Sequence, residues 1–595
     1  MRRTVLEWAL VVLIAAALTW AAAVALTGGF TLAAGPVRVP SHDVLRPLAL
    51  AVILFVALSV RFRPRAMACL AIVDVIRRAA VWITLAIAVV VGVTAVKYAS
   101  FAATGADPYG YVSQAYWWLD GRLAEPEPLV DAFSWRHTER SLAPLGYRPS
   151  PDGRHIVPIY SPGLPMMMAI AAAIAGACGP FLVVPVLSGV LVLASYALGR
   201  RAAGALVGLA AAILVAASPA VLFQAIWPMS DVPAAAVWTL AVVIALGPGV
   251  RAAMLAGGVA AIGLLVRPNL VFVPAAMAVA LLVTSGWRRA VAFAAGVAPA
   301  AAIIAALNTI WYGAPWKSGY GSLQSLYGFE HLGANLRGYL GALWHSQTPF
   351  IFLCVLPLAG VASRRVDRQT RWVLGALIAS MWFSYVFYLH FEEWWYLRFL
   401  LPAFPAMIVL AVAAAAALIR RLPAHWSALA GAVLVIAVMS AQLQFIRGLG
   451  VLIPMRAAEH RYIDVARYVD GALPKNAAIL AMQHSGSLRF YSGRLTIRWD
   501  WLNESTLPGA PRAIRSEGFH PYAVLEDWEL PEVRKRLGLA KDAPLPWPVI
   551  ARMVSPVGVS VYDADPHLGR SRITPVTIQA THERYCIRPR APLWK

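Results

Sequence analysis

The stretch that decides the fold opens with Thr104-Gly105-Ala106-Asp107-Pro108-Tyr109-Gly110-Tyr111 and closes with Ile159-Tyr160-Ser161-Pro162-Gly163-Leu164-Pro165. It reads as a polar outer loop, residues 100–165, set between long apolar runs. Polar residues at the mouth of an apolar bundle serve binding or chemistry more often than packing. Outward from this loop, apolar runs of about 15 to 25 residues recur from Val5 to Phe445, long enough to cross a bilayer. Only 13% of the 595 residues are charged, while 60% are hydrophobic. Soluble domains carry about 25% charged residues, so the chain reads as a polytopic α-helical membrane protein. The first run, Val5 to Leu26, is too long and too closely followed by others to be only a cleaved signal peptide.

A net charge of +22 on a soluble chain would point to nucleic acid. Here most arginines sit in short loops between apolar runs, which is the signature of membrane topology and anionic headgroups. No nucleic-acid partner is expected. Cys69, Cys178, Cys354 and Cys586 form no C-x-x-C pair or zinc spacing, so neither a disulfide framework nor a cysteine metal site is expected.

Arg2 and Arg3 place the N-terminus in the cytoplasm. A second span, Leu45 to Val60, leads to a cytoplasmic loop holding Arg61, Arg63, Arg65, Arg77 and Arg78. A third span, Ala79 to Ala99, delivers Asp107 to the outside. Two short apolar stretches follow, Leu164 to Cys178 and Phe181 to Leu198, split by Gly179-Pro180. If both cross, every later arginine loop falls outside. If the first only dips, then Arg200-Arg201, Arg251, Arg288-Arg289, Arg364-Arg365-Arg368-Arg371 and Arg420-Arg421 all fall inside, and the second arrangement is preferred. That gives about 13 spans in residues 1–446. Residues 447–595 are polar and form a soluble α/β domain on the outer face. Ala457 to Leu473 reads as a helix; Ala478 to Met482, Tyr522 to Leu525 and Val559 to Tyr562 read as strands. Gln483-His484-Ser485-Gly486-Ser487 reads as the turn that starts a helix.

Asp107 fits two roles. Followed by Pro108 it makes a good helix start, and as an ionised carboxylate at the interface it can act as a general base. Asp231, before the span Val232 to Leu246, is open to the same two readings. Lys317, in Trp316-Lys317-Ser318-Gly319-Tyr320-Gly321, is one of two lysines before Lys475. It is either a compact charge for phosphate or a lysine snorkelling from a span end. Arg267 and Arg398 break the arginine-inside pattern. Each is therefore buried with a partner or binds an anion, and the plain partner for Arg398 is Glu392 or Glu393. Trp117, Trp118, Trp394 and Trp395 read as interfacial belt residues before sugar platforms. His137, His155, His331, His345 and His390 show no metal-binding spacing.

Asp107 with its following aromatics, Leu119-Asp120-Gly121-Arg122-Leu123 and Tyr160-Ser161-Pro162-Gly163-Leu164-Pro165 together resemble the first outer loop of GT-C glycosyltransferases. The similarity is to the polyprenyl-phosphate-dependent branch, which includes protein O-mannosyltransferases and lipid A aminoarabinose transferases. Leu198-Gly199-Arg200-Arg201, Ser230-Asp231-Val232-Pro233, Arg267-Pro268-Asn269, Tyr312-Gly313 with Gly319-Tyr320-Gly321, and Arg398-Phe399-Leu400-Leu401-Pro402 extend it to about Pro405. Many relatives carry a second acid where this chain has Pro108, and most have one span, not three, before the loop. The resemblance implies a GT-C-like bundle in a bacterial plasma membrane, with the active site and the C-terminal domain on the extracytoplasmic face. It implies an inverting transferase moving a sugar from a polyprenyl-phosphate donor to a lipid, glycan or protein hydroxyl, with Asp107 as base. Lys317, Arg267 and Arg398, in that order, would meet the leaving phosphate. Tyr111, Tyr160 and Tyr320 would shape the pocket. Asp231 would orient the donor phosphate or bind a divalent cation. A transporter or lipid flippase would place charges inside spans and show inverted repeats, and neither is seen. A non-catalytic cell-envelope assembly protein would tolerate loss of Asp107.

Overall fold

A computed structural model describes residues 2–34, 37–61, 63–361, 366–450, 452–565, 574–581 and 586–594. Arg364 and Arg365, used in the loop argument, lie outside them. Among the described residues eight helices are long and apolar enough to cross a membrane, and three shorter apolar helices, Ala205–Ala217, Asp231–Ala245 and Pro349–Leu358, accompany them. The chain is a multi-pass membrane protein. Its central span is Trp394–Ile419, 94% of whose apolar window is buried, so the other helices surround it and Arg398 lies at its start.

The stretch expected as the second span forms the 17-residue helix Leu45–Arg61, which is not among the eight. The arginine stretch after it is not a loop: one helix runs from Arg63 to Tyr98. No helix breaker interrupts this stretch after Pro64, and arginine is itself a good helix former, so the span simply begins early.

The helix Gly163–Ala175 has 13 residues, or about 20 Å of rise, short of the roughly 30 Å hydrocarbon core. The next helix, Gly179–Ala203, starts beside Phe101, whose ring lies 5.8 Å from that of Phe181. It then descends antiparallel to Arg63–Tyr98, with Pro185 against Gly92 and Gly189 against Ala88. Both ends of Gly163–Ala175 therefore lie on the Asp107 side, and the segment dips without crossing. At the opposite end, Arg201 donates to the Leu246 carbonyl, Arg289 to those of Ala245 and Gly247 at 2.6 Å each, and Gln369 to Ala245 at 3.3 Å. These loops thus share one face, with arginines set against the negative end of the helix Asp231–Ala245.

The C-terminal domain holds a six-stranded sheet in the order Val576–Thr577, Val549–Met553, Val559–Asp563, His520–Glu526, Ala477–Leu480, Leu495–Ile497. Ala477–Leu480 is parallel to both of its neighbours, with Ile479 opposite Thr496 and Tyr522. The next pair along is antiparallel, Val561 opposite Val524. The expected helix appears as Leu452–Ala472 and the expected helix-start turn leads into Ser485–Ser492. Side chains alternate along the central strand. Ala478 and Leu480 pack with Leu495, Ile514 and Val533. Ala477 and Ile479 instead share a core with Tyr109, Tyr116, Leu164 and Phe181. One face of the sheet thus closes over the polar loop.

The loop itself is less a loop than the sequence implies. It contains the helix Asp107–Leu119 and a small sheet of Glu125–Pro126, His155–Pro158 and Tyr147–Pro149. Trp117 is buried against Tyr147, 4.7 Å between rings, so it is a core residue and not part of a belt. The cysteine expectation is also corrected. Cys178 and Cys586 are bonded across 408 positions, because the C-terminal tail returns to the junction between the dipping helix and its successor.

Candidate active site

Asp107 opens the helix Asp107–Leu119, with Pro108 fixing the first turn. It is not a cap. Ala106 holds that position, and no side chain caps the helix. The carboxylate is thereby left for the site, where the positive end of the helix favours it. Tyr160 donates its hydroxyl to Asp107 Oδ1. Arg398 Nη2 stands 3.6 Å from Oδ2, with the two side chains 18% and 30% exposed, so the pair is partly buried and not sealed in the core.

Two glycines permit this approach. A Cβ on Gly110 would lie 2.4 Å from the Tyr160 ring, so only glycine lets that ring lie on the Asp107 helix and aim its hydroxyl at the carboxylate. A Cβ on Gly163 would lie 2.5 Å from the Leu265–Val266 peptide, so glycine also brings the Tyr160 segment against the start of Arg267-Pro268-Asn269. Burial, reinforced by the Asp107 charge, holds the Tyr160 phenol well above its ordinary range, and it stays a proton donor. Tyr111 stacks obliquely on Tyr160 at 4.9 Å, and Tyr320 meets it edge-on at 6.0 Å.

Asp231 is no cap either: Ser230 holds that position without a side-chain bond. Asp231 is fully buried and paired with Arg267 Nη2. Every nitrogen of that guanidinium is engaged, Nε on Ser230 at 3.0 Å and Nη1 on Tyr385 at 3.4 Å. Tyr111 also donates to Ser230 at 3.1 Å, and Asn269 donates to Tyr385 at 2.8 Å. Asp231 and Arg267 thus form a buried unit beneath the tyrosines, in which every guanidinium nitrogen is engaged while Asp231 Oδ2 has no hydrogen-bond partner among the described residues. Arg398 is different. Its planar head lies over Tyr396 and Phe399 at 5.2 and 5.3 Å and touches Met229 Sδ at 3.6 Å, with one edge toward Asp107.

Seven of the expected residues come together: Asp107, Tyr111, Tyr160, Tyr320, Arg398 and, one layer below, Arg267 with Asp231. Two expectations change. Arg398 pairs with Asp107 and not with Glu392 or Glu393, which are exposed. Lys317 is exposed and is not drawn to Asp107. The turn that carries it is anchored by Arg148, which donates to the Ser318 and Gly319 carbonyls at 3.3 and 3.1 Å. Ser230 and Asn269 join the site from motifs already quoted around Asp231 and Arg267. Tyr385 carried no signal, since it lies in an aromatic run inside the helix Arg368–Val386. His137, His155 and His331 pair locally with Glu139, Asp152 and Glu330. Among the described residues no three His, Cys, Asp or Glu side chains converge, and Asp107 and Asp231 each face an arginine. This donor set does not fit the divalent cation considered from sequence.

No family model and no curated protein matches the chain. Solved structures do. ArnT from Cupriavidus metallidurans bound to undecaprenyl phosphate superposes with a TM-score of 0.52 at 13% identity, over 83% of this chain and 99% of that one. Its apo form gives 0.50 at 14% identity, over 81% and 97%. The fold is of the GT-C type. The match covers most of this chain and nearly all of ArnT.

Proposed function

We propose that the chain is an inverting glycosyltransferase that moves a sugar from a polyprenyl-phosphate donor to an acceptor hydroxyl. The observation that carries this is the Asp107–Arg398 pair, a base and a cation side by side at the mouth of a GT-C bundle. The solved ArnT that shares the fold was bound to undecaprenyl phosphate. In this reading Asp107 takes the proton of the acceptor hydroxyl. The oxygen attacks the anomeric carbon from the face opposite the phosphate. The bond from that carbon to the phosphate oxygen breaks, and the electron pair leaves with polyprenyl phosphate. Tyr160 holds the carboxylate in place. Arg398 meets the charge that develops on the leaving group. Its loosely held Nη2, 3.6 Å from Asp107, and its stacked plane suit it better than Arg267, whose donors are all engaged, or Lys317, which is exposed.

The reaction belongs on the extracytoplasmic face of a bacterial plasma membrane. Two independent features support that orientation. The arginine loops gather at the opposite end, as the positive-inside rule requires of a cytoplasmic face. The Cys178–Cys586 bond lies on the Asp107 side, and disulfides persist in oxidising compartments. The C-terminal domain from residue 447 onward is then a lid over the active-site loop.

The test is donor turnover. Purified protein and Asp107→Asn are each given a panel of labelled polyprenyl-phosphate sugars with membrane extract as acceptor. Wild type should release polyprenyl phosphate from one member. The variant, which loses one carboxylate at constant volume, should be slower by at least about 10²-fold. Equal turnover by both would remove Asp107 as the base.

A further inference from the structure

The segment that delivers Asp107 is gripped from the C-terminal domain. Thr104 is buried, and its hydroxyl donates to Glu459 Oε2. The backbone N–H of Ala103 donates to Tyr491 at 2.7 Å, and His460 meets the Ser100 carbonyl at 3.0 Å. On its other side Thr104 closes the turn that carries Asp107, since its carbonyl accepts from the Tyr109 N–H at 3.1 Å. One residue therefore has its side chain fixed by Glu459 and its backbone fixed to the first turn of the Asp107 helix.

Glu459 is itself fixed. It is buried on the helix Leu452–Ala472, and its other oxygen lies 3.5 Å from Arg461 Nη1. Arg461 donates to Glu526 at 2.8 Å and to the Tyr462 hydroxyl at 2.9 Å. Glu526 also meets His484 at 3.0 Å and accepts from Trp528 at 2.6 Å. The mechanism uses none of these groups, yet burying two carboxylates and a guanidinium is costly unless each is paired and hydrogen-bonded. A run of such groups that ends on Thr104 holds a geometry that an apolar contact, lacking directional bonds, would leave free to slide.

We infer that Glu459 is a positioning residue: through Thr104 it sets the turn that aims the Asp107 carboxylate, which makes the C-terminal domain a working part of the active site. The inference rests on Asp107 being the base, and its test separates the two. Thr104→Val keeps shape and removes the hydroxyl, while Thr104→Ser keeps the hydroxyl. Full-length protein is read first without substrate, by hydrogen exchange of the amides from Gly105 to Tyr111. Thr104→Val should lose protection there by about tenfold, with Thr104→Ser near wild type. With the donor that wild type consumes, Thr104→Val should lose about tenfold in kcat with KM unchanged, because the base is misaimed and the pocket is intact. Glu459→Gln should lose turnover in the same sense, and the double variant should be no slower than the slower single. Unchanged exchange and unchanged kcat in Thr104→Val would overturn the inference even if Asp107→Asn is inactive. An active Asp107→Asn would instead overturn the catalytic reading and leave the exchange result standing as a measure of the grip alone.

Discussion

Replacing Arg398 tests the site most sharply, because this is the cation that stands beside the proposed base. Two unit charges 3.6 Å apart interact by roughly 4–5 kcal/mol at an effective dielectric of about 20. Both side chains are partly open to solvent, which screens the pair, so about 2–3 kcal/mol is a fair value for what the guanidinium offers a negative group at that distance. A leaving phosphate in the same place gains a similar amount in the transition state. Arg398→Gln should then slow donor turnover about 30- to 150-fold, which reaches the lower end of the roughly 10²- to 10³-fold loss when one preorganised donor is removed from an anionic transition state. Arg398→Lys should recover only part of this. The ammonium keeps the charge but cannot lie flat over Tyr396 and Phe399. The assay is release of polyprenyl phosphate by purified protein under single turnover, with binding of the free lipid phosphate measured beside it. If Arg398→Gln turns over within about threefold of wild type, Arg398 is a structural partner of Asp107 and the leaving group is met elsewhere.

Asp231→Asn should act on folding before chemistry, since it strands Arg267 in a buried site; a loss of about 3–5 kcal/mol is expected, read as a lower thermal midpoint, and Asp231→Leu with Arg267→Leu should recover much of it. Alkylation without reductant should leave Cys178 and Cys586 unmodified, and Cys586→Ser should cost about 2–4 kcal/mol against unfolding of the outer domain; labelling of both in wild type would refute the bond. Burial above all, with the Glu526 carboxylate beside it, raises Glu529 from the ordinary 4.5 to about 7. The folded state therefore holds this proton more tightly than the unfolded one. Its contribution is complete below pH 4.5 and is lost as pH rises through 7, about 3 kcal/mol in all. Stability of the outer domain should fall across that window, and Glu529→Gln should flatten the slope whatever its absolute stability; an unchanged slope would refute the shift.

What could be read in advance followed from local physics. A run such as Ala478-Ile479-Leu480-Ala481 is apolar on both faces because helices cover both sides of a parallel strand, and it appears at Ala477–Leu480. The dip of Gly163–Ala175 was legible because one choice of crossing inverted every arginine loop after it. The helical character of Arg63 to Arg78 was not legible from charge, since charge reports the side of the membrane and not the state of the backbone. Cys178 with Cys586, and Arg398 with Asp107, were beyond spacing arguments altogether, because a pair that far apart in the chain is made by the whole bundle.

The misjudged partner of Arg398 has a plain physical origin. Residue type tells what a side chain can do, and position in a loop tells which face it occupies, but neither tells how many of its donors are already engaged. Arg267 and Arg398 look equivalent in sequence, two arginines on the unexpected side. In the fold one spends every nitrogen on Asp231, Ser230 and Tyr385, while the other keeps an edge turned to Asp107. Tyr396 and Phe399 give Arg398 an aromatic floor. Stacking holds the plane with Nη2 toward Asp107, so in the proposed reaction the cation would be oriented before the phosphate arrives and little reorganisation would be left for the transition state. That preorganisation is what the proposed reaction asks of the group that meets the leaving phosphate, and it is the reason the Arg398 variants, and not a Lys317 variant, are the first to make.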